Sequence, residues 1–107
     1  MLKNDNIDNI TDIIVQIAMP ERVYLFGSYA VGTANEDSDY DFYVVVPDNS
    51  ERPLLLTEQI YLALYKKTGG KPVDILIKRA SDFEKRKMLP TIEREVSAKG
   101  VLIYGAS

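Results

Sequence analysis

Apolar positions along this chain recur with two different periods. Ile7, Ile10, Ile13, Ile14, Ile17 and Ala18 are spaced three and four residues apart, so residues 7–18 read as one face of an amphipathic helix. Asn4 to Asn6 can supply its N-terminal cap, and Pro20 stops it. Shorter runs of β-forming residues follow. Residues 22–26 predict a strand that ends at Gly27-Ser28, and residues 29–33 a short helical turn. Residues 34–38 are polar and loop-like. Residues 39–46 predict a second strand, apolar on both faces beyond Asp41 and therefore interior to a sheet, with Pro47 at its end.

Ser50 can cap a helix running to about Lys67, with Pro53 tolerated in its first turn and Leu56, Ile60, Ala63 and Leu64 as its apolar stripe. Gly69-Gly70 stops it, and residues 72–78 predict a third strand. Ser81 and Glu84 have the spacing of a capping box, which predicts a helical segment interrupted near Leu89-Pro90. A further helix reaches about Lys99 and ends at Gly100, and Val101 to Tyr104 predict a short last strand. The order is α-β-α-β-α-β-α-α-β, with no repeat, low-complexity segment or internal linker, so residues 1–107 read as a single domain.

Composition narrows the chemistry. The chain has 107 residues, of which 46% are apolar, and this argues against disorder. Its net charge of −3 gives no general attraction for nucleic acid or anionic membrane. There is no cysteine and no histidine. Disulfides, thiolate or imidazole metal sites and the Ser-His-Asp and Cys-His hydrolases are thereby excluded. Chemistry must run on carboxylates, hydroxyls, Lys, Arg and backbone, an inventory that suits oxygen-ligated ions such as Mg²⁺. Residues Met1 to Asp5 lack the form of a signal peptide, and no apolar run approaches the ~20 residues needed to cross a bilayer, so the expectation is a soluble cytoplasmic protein.

The carboxylates are placed suggestively. Strand side chains alternate, so Asp39 and Asp41 share one face and Tyr40 takes the other. Two ionised carboxylates ~4 Å apart repel by about 4 kcal/mol at an effective dielectric of ~20. Exposure, protonation or a bound cation relieves this. Asp74, within the apolar run Val73 to Ile77, adds a third carboxylate and favours the cation. Three carboxylates around Mg²⁺ suit phosphoryl or nucleotidyl transfer. Gly27 lets backbone approach a phosphate closely, and Ser28 offers a hydroxyl where a helical turn begins. Together these residues read as one site for a metal-bound nucleoside triphosphate.

Other motifs fit the same residues less well. Gly27 and Gly32 have the spacing of a Walker A loop, but Thr33 stands where Lys is required. Asp37, Asp39 and Asp41 have the spacing of an EF-hand start, but Phe42 occupies the obligatory Gly position. The blandest alternative is a solvated acidic turn leading into a strand.

Gly27-Ser28, ten intervening residues, then Asp39-x-Asp41 resembles the signature of the DNA polymerase β-like nucleotidyltransferase superfamily. Asp74 in Pro72-Val73-Asp74-Ile75-Leu76 extends the resemblance, as does the tail from Leu89-Pro90 through Ile92-Glu93-Arg94-Glu95 to Gly100-Val101 and Tyr104. That tail and the small size resemble minimal nucleotidyltransferase (MNT) antitoxins paired with HEPN-domain toxins. The resemblance implies an α+β fold, a small mixed β-sheet flanked by helices and similar to the polymerase β palm. It implies Asp39 and Asp41 as metal ligands, Asp74 as the third carboxylate (metal ligand or general base), and Gly27 and Ser28 as the triphosphate-binding pair. It further implies transfer of AMP from ATP, with Mg²⁺, to a hydroxyl of the HEPN ribonuclease, a tyrosine, within a hetero-oligomer.

The chain departs from that pattern at Tyr29 and Val31, where many relatives carry Arg. Lys78, Arg79 or a residue of the partner are candidate substitutes, while most of the Lys and Arg in 78–87 read as a solvated helix face. Tyr24, Tyr40, Tyr43, Tyr61 and Tyr65 read as core or interface packing, and Glu93-Arg94-Glu95 as an exposed helix face, with a partner contact second. Two further functions compete with protein adenylylation. One is an antitoxin that neutralises HEPN by binding alone. The other is transfer to a small molecule such as an aminoglycoside, for which the chain shows no additional pocket-forming domain.

Overall fold

The computed structural model of the chain describes residues 4–35 and 38–105. Its first helix, α1, runs Asp5–Ala18, two residues longer at its start than the apolar periodicity indicates. Asn4 sets that start: its side chain accepts hydrogen bonds from the amides of Asn6 and Ile7, at 3.0 and 3.2 Å. The helix ends where Met19 turns into the left-handed region ahead of Pro20. Eight elements follow: β1 (Arg22–Phe26), α2 (Ser28–Val31), β2 (Tyr40–Val46), α3 (Pro53–Leu64), β3 (Val73–Arg79), α4 (Ala80–Arg86), α5 (Ile92–Lys99) and β4 (Val101–Gly105). Their order is the expected one.

The strands form one mixed sheet in the order β3-β2-β1-β4. β1 is antiparallel to β2 and β4, and β2 is parallel to β3. β2 is thus an inner strand, buried without break from Phe42 to Val46, as its continuous apolar run requires. Alternation splits its side chains between two cores. Tyr40, Phe42, Val44 and Val46 join Ile7, Ile10 and Ile14 of α1 and Leu56, Ile60 and Leu64 of α3. Tyr43 and Val45 face the other way, onto Phe83 of α4 and Val96 of α5. The sheet therefore carries helices on both faces. The second face is covered only in part, and Asp74, Leu76 and Lys78 of β3 remain exposed there.

Two expected caps do not form. The helix assigned to Ser50–Lys67 is shorter, because Arg52 precedes Pro53 and is held extended (φ −57°, ψ 132°). Ser50 donates its hydroxyl to the Glu51 carbonyl instead of capping. The Ser81–Glu84 box does not form either, since α4 already begins at Ala80. The Ser81 amide donates instead to Asp48 Oδ1 at 2.9 Å, a cap supplied from the β2–α3 loop. Glu84 pairs with Lys87 and Arg22.

The Glu93-Arg94-Glu95 face also needs correcting. Arg94 and Glu95 are exposed, but Glu93 is only 1% exposed. The Tyr43 hydroxyl donates to its Oε2 and Arg86 Nε to its Oε1, both at 2.8 Å. These bonds tie α5 to the inner strand. Burial alone would raise the Glu93 pKa, but the bonds from Tyr43 and Arg86 outweigh it and hold the carboxyl below its ordinary value. Burial, reinforced by the bond to Glu93, pushes the Tyr43 phenol up. Of the tyrosines expected to pack, Tyr40 and Tyr43 are fully buried and Tyr24 is half-buried, whereas Tyr61 and Tyr65 lie exposed. Tyr61 still has a structural task, accepting the Ile75 amide of edge strand β3 at 2.9 Å.

Candidate active site

The chain leaves the sheet at Phe26 and re-enters it at Tyr40, so the intervening connection lies at the end where β2 and β3 begin. Register then assembles the site. Asp41 stands beside Phe26 of β1 on one side and beside Asp74 of β3 on the other. Partners in a ladder point to the same face, so the two carboxyls adjoin on the partly open side of the sheet.

Gly27 meets this pair directly. Its backbone (φ 73°, ψ −151°) occupies a region essentially closed to other residues. A Cβ built there would collide with Asp41 Oδ2. The turn and the carboxylates, separated along the chain, are thus in contact. α2 is a single turn closed by the Ala30 and Val31 amides on the Gly27 carbonyl, at 3.1 and 3.2 Å, with Ser28 at its first position. First-turn amides such as those of Ser28 and Tyr29 have no acceptor within the helix.

The electrostatics record crowding of like charge. The Asp41 carboxyl is pushed up to about 6, first by burial, then by the charges of Asp74 and Asp39 and by a hydrogen bond shared with Asp74. Asp39 is exposed at the residue before β2, which begins one position later than expected. Its charge reaches Asp41, yet the structure brings together Asp41 and Asp74 more closely than all three. Among the described residues no three carboxylates converge on a point that would grip a metal ion. Asp37, weighed above in the EF-hand pattern, lies outside the described residues.

The positions of the missing arginines supply no charge. The Tyr29 ring packs on Tyr40 at 4.8 Å between centroids, and Val31 is exposed. The candidate substitutes are also remote. Lys78 lies four residues beyond Asp74 on β3, about 13 Å along the strand. Arg79 donates to the Ser50 carbonyl at 3.2 Å, near the opposite end of the sheet. Beside the turn lies a cavity of ≈ 240 Å³ lined by Phe26, Gly27, Val31, Glu95, Val96 and Lys99. Sequence reasoning gave Val96 and Lys99 no part in the site, because β1 and α5 meet only through the fold.

A family model described as "Nucleotidyltransferase domain" matches residues 7–103. The chain belongs to the nucleotidyltransferase domain family. No curated protein matches it. Several solved structures share the fold of this nucleotidyltransferase. A toxin–antitoxin crystal structure with AMP-PNP is 22% identical, with a TM-score of 0.59, and the match covers 94% of this chain and 74% of that one. A mutant of the MntA-HpeT toxin–antitoxin is 20% identical with a TM-score of 0.61, over 100% of this chain and 76% of that one. A putative nucleotidyltransferase from Sulfolobus solfataricus is 19% identical with a TM-score of 0.51, over 97% and 90% of the respective chains.

A divalent cation is commonly used by this fold, and the nucleotidyltransferase's own donor set fits one. All its candidate ligands are hard oxygens, and Asp41 adjoins Asp74 with the charge of Asp39 within reach, a crowding that a cation would relieve. No helix among the described residues is long and apolar enough to cross a membrane.

Proposed function

We propose that this nucleotidyltransferase is an antitoxin that transfers AMP from ATP to a hydroxyl, a tyrosine, of a cognate HEPN ribonuclease toxin. The observation that carries the reading is the contact between Gly27 and Asp41, with Asp74 alongside. It puts a phosphate-approaching turn against a carboxylate pair. Asp39, Asp41 and Asp74 would hold Mg²⁺, which when bound neutralises charge on the phosphates and makes a nearby hydroxyl more acidic. Gly27 and Ser28 hold the polyphosphate. The acceptor oxygen attacks the α-phosphorus, the bond to the α–β bridging oxygen breaks, and pyrophosphate leaves with that electron pair. The hydroxyl proton passes to a site carboxylate, for which Asp74, exposed beside Asp41, is our candidate.

A second reading, neutralisation by binding alone, draws support from α2, which carries no basic residue. One experiment separates the two. The chain is incubated with labelled ATP, Mg²⁺ and its purified toxin partner. The expected result is label on the toxin that disappears with Asp39→Asn or Asp41→Asn, together with loss of neutralisation. Full neutralisation by those variants, with no label from wild type, would leave binding alone as the function.

A further inference from the structure

We propose that Lys99 binds the polyphosphate of the incoming nucleoside triphosphate, as the cation that the Gly27-Ser28 turn itself lacks. The inference rests on the nucleotidyltransferase reading above and extends it to a residue outside the signature. The charge balance of the site creates the need. Asp39, Asp41 and Asp74 contribute only negative charge, α2 contributes no positive charge, and a triphosphate is itself polyanionic. Mg²⁺ held by those carboxylates would offset part of this charge, and a side-chain cation beside the turn would offset more.

One of the described lysines and arginines borders the cavity beside the turn. Arg22 and Lys87 pair with Glu84, and Arg86 pairs with Glu93. Arg79 is bonded to Ser50, and Lys78 points out from the far half of β3. Lys71 lies over the Tyr40 ring, on the sheet face opposite Asp41. Lys99 alone among them lines the cavity that Gly27 also lines. It is the last residue of α5, a helix anchored by buried Val96 and Glu93 and joined through Gly100 to β4, the neighbour of β1 in the sheet. Its backbone is therefore held by the fold while its side chain is exposed.

That ammonium lies 3.4 Å from Glu95 Oε2. Both side chains are about two-thirds exposed (68% and 66%), and an exposed pair of this kind holds its partners only weakly. Release from Glu95 toward a phosphate exchanges one carboxylate for a more highly charged anion. Glu95 thereby acts as a counter-ion that the triphosphate displaces.

The test measures binding of AMP-PNP and of AMP to the full chain with Mg²⁺ by titration calorimetry. Lys99→Met is expected to weaken AMP-PNP about tenfold, the scale of one charged hydrogen bond, and to change AMP less than twofold. Lys99→Arg retains most of the AMP-PNP affinity, Glu95→Gln raises it severalfold, and Lys78→Met leaves it unchanged. Thermal unfolding of each variant checks that the fold is intact. If wild type binds AMP-PNP and Lys99→Met binds it within twofold, the role of Lys99 is overturned. Equal losses for AMP and AMP-PNP also overturn it, since they would indicate a merely structural effect. If wild type itself binds neither nucleotide, the underlying nucleotidyltransferase reading fails instead, and this inference with it.

Discussion

At the scale of single residues, the site makes opposed demands on Gly27 and Asp41. Gly27 holds φ 73° and abuts Asp41, so Gly27→Ala both strains the backbone and displaces the carboxylate. We expect it to cost about 1–3 kcal/mol in stability, read from urea unfolding, and to abolish transfer. A Gly27→Ala protein of wild-type stability would show that the turn is not constrained by Asp41. Asp41 acts in the opposite sense. Its pKa is raised from an ordinary 3.8 to about 6, so the folded state binds more protons than the unfolded chain between those values. Stability that is present below about pH 4 is therefore lost as pH rises to about 6. Asp41→Asn should remove that slope and, with solvent screening allowed for, gain about 1 kcal/mol at pH 7, or roughly 5 °C in Tm, while eliminating transfer. Equal melting points for the two proteins at pH 4 and pH 7 would contradict this account. Both residues were legible in the sequence as chemistry. Their contact was not, because it depends on the pairing of β1 with β2.

At the scale of elements, the strands and helices were legible in order and to within about three residues at their ends, since each carries its own period and its own Pro, Gly or Asn punctuation. The errors fall where a partner distant in the chain overrides a local signal. Ser81 has capping-box spacing, yet Asp48 caps the helix from another loop. Glu93 sits in a charged triplet, yet Tyr43 accommodates its carboxylate fifty positions earlier in the chain. No local pattern could reveal that bond. It has a measurable consequence. Glu93 has a lowered pKa in the fold, so its contribution to stability is present above the ordinary carboxylate range and is lost as pH falls through the folded value. Glu93→Ala leaves the Tyr43 hydroxyl buried without its acceptor and should cost about 2 kcal/mol at pH 7. Glu93→Gln should cost less at pH 7, and its difference from wild type should close toward pH 3. A gap from wild type that stays constant down to pH 3 would rule out an ionised Glu93 as the stabilising group.

At the scale of the whole molecule, the sequence could order the elements but not the strands, and so could not say which face of β3 stays open. That open face makes a site possible in a chain this small. α1 and α3 cover one side of the sheet over β1, β2 and β3, while α4 and α5 cover the other only over the inner strands, which leaves Asp74 exposed beside half-buried Asp41. The site draws residues from β1, β2 and β3 and adjoins α5, so a ligand bound there engages most of the cooperative structure. Its binding energy should therefore appear in global unfolding. At a hundredfold excess over Kd the gain is about 2.7 kcal/mol, or roughly 10 °C or more in Tm for a chain of this size. We expect AMP-PNP with Mg²⁺ to produce that rise, Mg²⁺ alone a smaller one, and AMP-PNP in EDTA little, because the carboxylates and the triphosphate repel each other until a cation lies between them. Lys99→Met should reduce the combined shift without changing the response to Mg²⁺ alone. An unchanged melting temperature with both ligands well above millimolar would remove the working site and leave neutralisation by binding alone as the proposed function.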